Sequence, residues 1–224
     1  MTYTVPLALV DFLPVFFSSL GLFLLARLVE GADQGARPLA YLGWALVTLG
    51  GLSKAVWKLV LATTGLNLSP LDQFLFVFLG PGFVMMASGL LRVRRAERGV
   101  LAKASPWPVP SAICLVFLSV AAVLLVTAAG RRWSTVLLIL TVIASNVTGV
   151  VAGGLLCRRK RYRTALLFAA NLVAALILAR LARIDPQTIS LQWFEETLNT
   201  FSQAGFAFAS WKLATAPRET RSVS

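Results

Sequence analysis

The sequence predicts an all-α, polytopic membrane helix bundle of seven transmembrane helices, with the N-terminus outside and the C-terminus in the cytoplasm. Three observations carry that expectation. Of 224 residues, 58% are hydrophobic and 13% charged, and the mean hydropathy is +0.79. Water-solvated domains are near half apolar and a quarter charged, so this composition suits a chain solvated by lipid. Apolar runs of the roughly 20 residues needed to cross a hydrocarbon core of about 30 Å recur between polar or Gly/Pro punctuation. Basic residues gather on alternate connections between those runs.

The first run, 5–29, has no basic residue before Arg27. It lacks the basic start of a cleavable leader and is expected to stay as a helix. The second, 39–63, is interrupted by Lys54 and Lys58, and the third, 71–91, by Pro81 between Gly80 and Gly82. A kink or local unwinding is expected at that proline. The fourth, 110–129, is apolar with no charge. The fifth, 133–157, carries Thr141, Ser145 and Thr148 as a hydroxyl stripe, and Gly149 and Gly153, with Gly154 adjacent, at a spacing that admits close helix approach. The sixth, 164–183, ends in Arg180 and Arg183. The seventh, 191–213, is the least apolar because of Glu195, Glu196, Asn199 and Gln203. Residues 1–214 form a single transmembrane domain, and 215–224 read as a short polar cytoplasmic tail.

Orientation follows from the loops. The connection after the third run holds Arg92, Arg94, Arg95, Arg98 and Lys103, and that after the fifth holds Arg158, Arg159, Lys160, Arg161 and Arg163. On the opposite side stand only Arg131, Arg132, Arg180 and Arg183. The excess marks the cytoplasmic face. Trp57, Trp133 and Trp193 then fall near the outer interface, and Trp107 and Trp211 near the inner one, where an indole keeps one edge wet. The net charge of +12 is thereby assigned to anionic lipid headgroups at the cytoplasmic loops, and no nucleic-acid partner is expected. The expected location is a bacterial cytoplasmic membrane. Cys114 and Cys157 fall on its reducing side and are expected as free thiols.

The chain contains no His. That excludes a His base, His-ligated metals and His-ligated haem. No phosphate-binding loop, dinucleotide fingerprint or paired-cysteine motif is present, and no cofactor or metal is expected.

The charges within the runs point to a site. An ionisable group in the hydrocarbon costs roughly 2.5–3.5 kcal/mol on insertion scales, so such groups face the bundle interior. In the expected topology Asp11, Lys54, Lys58, Asp72, Glu195 and Glu196 all lie toward the outer side. Lys54 and Lys58 are four apart and share a helix face with Gly50, where a small residue would let a helix or a solute approach. Gln192, Glu196, Asn199, Gln203 and Ser210 form one narrow polar stripe, at about 100° per residue. Asp11 and Ser18 share a face with Pro14 between them.

Three functions fit these residues. The first is a small-solute transporter or solute-binding membrane subunit with an outward-facing polar pocket. Its Lys54 and Lys58 would contact a small polar or anionic solute, with Asp11 and Glu196 as counter-charges or a proton site and Asn199 and Gln203 as hydrogen-bonding groups. The second is a non-catalytic accessory or scaffold subunit bound to a membrane-protein partner. The third, a membrane enzyme acting on a lipid-linked substrate, is the least favoured, because adjacent Glu195 and Glu196 point about 100° apart.

Overall fold

A computed structural model describes residues 4–100, 104–127, 132–181 and 188–216, and the described residues form helices and short connections with no strand. The helices are α1 (Val5–Val10), α2 (Phe12–Ala32), α3 (Arg37–Thr64), α4 (Ser69–Ala96), α5 (Pro108–Thr127), α6 (Arg132–Arg158), α7 (Tyr162–Leu181) and α8 (Ile189–Thr215). With α1 and α2 as one broken span, they occupy all seven expected runs. Six spans are long and apolar enough to cross a membrane. The other is α8, whose polar stripe lowers its hydropathy, yet it packs against α2 and α7 inside the bundle. Ala129, Arg131, Arg183, Asp185 and the tail beyond Ala216 lie outside the described residues.

Proline chemistry sets where the first span breaks. Pro14 has no N–H for the Val10 carbonyl, and its ring crowds that carbonyl, so the helix is interrupted at Asp11. Pro81, where unwinding was expected, instead lies inside a continuous α4. The difference is one of packing. Gly82, next to Pro81, is pressed against the Gly43 carbonyl and Val47 of α3, while Gly80 faces Leu140 and Thr141 of α6, so neighbours hold α4 on both sides.

The interior is divided by polarity. Leu22, Leu25, Val29, Met86, Leu90, Leu155, Leu156, Phe206 and Leu213 make a dry core in the half nearer the basic loops. The opposite half contains the buried charges Asp11, Lys58 and Glu196. Ion pairs also fasten the basic end. Arg92 Nε donates to Asp33 Oδ2 at 2.6 Å, and Arg159 donates to Glu97 Oε1 through Nη2 at 2.5 Å. Nη1 of Arg159 also reaches the carbonyls of Leu213 at 2.7 Å and Ala216 at 3.3 Å. One guanidinium therefore joins the ends of α4, α6 and α8 and satisfies carbonyls that a helix C-terminus leaves open.

Arg159→Ala is accordingly expected to cost about 2–4 kcal/mol, the range for losing charge-assisted bonds around a largely buried cation. Arg159→Lys should restore less than half, because a single ammonium cannot span the same acceptors. Thermal unfolding of the purified protein in detergent checks both, and an unchanged Arg159→Ala midpoint rules the clamp out.

Candidate functional site

Asp11 lies six residues after the start of α1, Lys58 six before the end of α3, and Glu196 seven after the start of α8. At 1.5 Å per residue, all three sit about 9–10 Å beneath the helix ends on one side of the bundle. Their meeting follows from that shared depth. Lys58 Nζ donates to Asp11 Oδ1 at 3.0 Å and to Glu196 Oε1 at 2.6 Å. The three residues are only 7–9% exposed. An ammonium between two carboxylates offsets much of the desolvation cost each charge would bear alone, and it ties three spans together.

Beneath this triad lies a cavity of about 210 Å³, lined by Asp11, Ser18, Lys54, Asn199 and Gln203 together with Val15, Leu75, Leu79, Pro14 and Gly51. By helix rise, its polar residues extend from about 9 to 21 Å below the helix ends. Five of the polar positions singled out in sequence thus converge from the first, second and seventh spans on one hollow. Gln192, Glu196 and Ser210 are buried, while Asn199 and Gln203 are partly exposed in the hollow, so the stripe on α8 faces protein. Lys54 makes no ion pair or hydrogen bond among the described residues, which leaves its ammonium to the cavity.

Two expectations change. Lys58 does not line the cavity, because it is one turn nearer the helix end than Lys54 and level with the two carboxylates that engage it. Gly50 is covered by α4, where a side chain would strike Leu79, Phe78 and the Leu75 carbonyl, so the small residue there admits a helix and not a solute. Gly51, its neighbour, faces the cavity instead.

The remaining polar positions are local in role. Thr141, Ser145 and Thr148 donate to backbone carbonyls of their own helix. Asp72 stands in the first turn of α4, where the dipole favours a carboxylate. Asn67 accepts from Trp57 Nε1 at 3.0 Å, and Arg180 is exposed. Glu195 and Glu196 do not form a facing carboxylate pair, since Glu196 is held by Lys58. Gln192 Oε1, Glu195 Oε1, Glu196 Oε2 and Ser210 Oγ are buried without a hydrogen-bond partner among the described residues. The first three are acceptors clustered within five residues of α8. Among the described residues, no group of three acidic or cysteine side chains lies close enough to hold a metal, and both cysteines are free.

Some interhelical contacts were not legible in sequence. Trp44 Nε1 and Thr48 Oγ1 both donate to Ser19 Oγ, at 3.0 and 2.9 Å, and Asn171 Nδ2 donates to Ser202 Oγ at 2.8 Å. The only available signal was Ser19 itself, a hydroxyl about 100° from the Ser18 face. No known protein-family model, curated protein or solved structure matches this chain.

Proposed function

We propose that this multi-pass membrane protein is a small-solute carrier, or the solute-binding subunit of one, residing in a bacterial cytoplasmic membrane with its pocket on the non-cytoplasmic side. The observation that supports this most strongly is the cavity lined by Lys54, Asp11, Ser18, Asn199 and Gln203 at membrane depth. Lys54 contacts an anionic group of the solute. Asn199 and Gln203 hydrogen-bond to its polar atoms, and Asp11 serves as counter-charge. Lys58 and Glu196 hold the wall from behind. The cavity volume of about 210 Å³ is below the 300–1,000 Å³ of drug-sized ligand sites, so the solute is a small one.

A thermal-shift panel of acetate, lactate, glycine, alanine and phosphate on the purified protein tests the reading. At least one is expected to raise the melting temperature. Lys54→Gln should weaken that solute about 10- to 100-fold, the equivalent of losing one charge-assisted hydrogen bond. A panel with no response, or a Lys54→Gln protein that binds as before, removes the proposal.

One observation favours a second reading, an accessory subunit. Among the described residues, helix α5 packs chiefly on α4 and α6, and it leaves Leu115, Val116, Val123, Leu125 and Val126 exposed. A partner helix could cover that face. Under this reading the solute panel is silent, and substitution of Leu115 and Val123 by Ala releases a co-purifying membrane protein.

A further inference from the structure

Apart from the polar cavity, α6 and α7 line an apolar groove of about 360 Å³. Gly149, Gly153 and Gly154 of α6 and Leu166, Phe168 and Leu172 of α7 form its walls. It runs from Gly149 to Cys157, about 12 Å at the helical rise, and ends at the basic α6–α7 connection. Val150, Leu166 and Tyr162 along its rim are each more than 60% exposed. The groove is therefore open to the surroundings of the bundle.

The connection between its lining residues Cys157 and Tyr162 is strongly cationic. Arg159 is committed to Glu97 and to the carbonyls ending α8. Arg158, Lys160, Arg161 and Arg163 are different: they are exposed or nearly so and form no ion pair among the described residues. The turn that presents them is a helix C-terminal motif in which Arg161 N–H donates to the Leu156 carbonyl and Lys160 N–H to that of Cys157. Lys160 occupies the left-handed position, with φ of 57°. Four unpaired cations thus stand within six residues at the end of a lipid-facing hollow.

An apolar groove followed along the chain by unpaired cations matches one class of molecule, with its charged and apolar parts in the same order. We propose that the α6–α7 groove binds an anionic phospholipid, one acyl chain lying along Val150, Gly154 and Leu166 and the phosphate held by Arg158, Lys160 and Arg161. Charge complementarity selects an anionic headgroup over a zwitterionic one. The chain portion is held by burial of methylenes against α6 and α7. This site is separate from the solute cavity and stands whether or not a solute binds there.

Native mass spectrometry of the full chain with an equal mixture of dioleoyl phosphatidylglycerol and dioleoyl phosphatidylcholine tests it, since the two lipids share their acyl chains. The phosphatidylglycerol adduct is expected to exceed the phosphatidylcholine adduct at least fivefold. The triple variant Arg158→Gln, Lys160→Gln, Arg161→Gln should bring that ratio to about one while retaining bound lipid. Gly154→Phe puts a ring into the groove at a position where the first side-chain carbon meets nothing within 4 Å, and it should lower both adducts. Helix content by circular dichroism and the melting temperature confirm that each variant is folded. Equal binding of the two lipids by the unaltered protein, a preference that survives the triple variant, or adducts indifferent to Gly154→Phe would each overturn the proposal. So would a dimer that Gly154→Phe dissolves, because the groove would then belong to a second copy of the chain.

Discussion

Lys58→Met is expected to destabilise the protein by about 3–5 kcal/mol, the range for removing one partner from a buried ion-pair network. Methionine keeps most of the side-chain volume, so little of the loss is packing. What changes is electrostatic. Asp11 Oδ1 and Glu196 Oε1 lose the ammonium now at 3.0 and 2.6 Å, and two carboxylates are left facing each other in a buried site. The diagnostic step is the compensated variant: Lys58→Met with Asp11→Asn and Glu196→Gln should regain most of the lost stability, because neutral groups of similar shape bear no charge-desolvation cost. Thermal unfolding in one detergent compares the three proteins. If Lys58→Met alone is as stable as the parent, or if neutralising both acids gives no recovery, the triad is not what joins these spans. The compensated variant keeps Lys54 but replaces Asp11, which also lines the cavity, so any change in solute binding measures the counter-charge and leaves the Lys54 anchor to its own variant.

Gly43→Leu carries the second large effect, a loss of about 3 kcal/mol or more, at or beyond the upper end of the overpacking range. Even the first carbon of a new side chain would lie 2.7 Å from the Gly82 carbonyl oxygen and 3.0 Å from the Met86 nitrogen. Both are backbone atoms of a continuous helix, which cannot yield by changing a rotamer. The two helices must separate. Because Leu75 and Leu79 of α4 and Lys54 of α3 all line the cavity, separation should also weaken solute binding. Gly154→Leu supplies the control: its site is open, and an exposed helical Gly replaced by a better helix former should gain a few tenths of a kcal/mol or change little. Matching melting temperatures for Gly43→Leu and Gly154→Leu would show that α3 and α4 do not rely on this contact.

The sequence alone determined the class of fold, the number of long helical segments and the lateral direction of the α8 stripe. Length and hydropathy settle the class and six of the segments, because lipid imposes a minimum apolar run and forbids unpaired backbone. Even α8, too polar to meet a hydropathy threshold, was legible from its apolar second half and from the 100° periodicity that aligned Gln192, Glu196, Asn199 and Gln203. The expense of burying charge further indicated that Asp11, Lys54 and Glu196 would face inward. Tertiary structure decided the rest. Sequence treats Lys54 and Lys58 as equivalents on one face; only the depth at which α1 and α8 present Asp11 and Glu196 separates the paired lysine from the cavity-facing one. Pro14 and Pro81 look alike in sequence, yet one interrupts its helix and the other does not, since α3 and α6 support α4 around Pro81. Arg159 was one cation among five until the ends of α4 and α8 came within reach of it. Periodicity fixes the direction in which a side chain leaves its own helix, whereas the partner it meets depends on the height and separation of neighbouring helices, which packing alone sets.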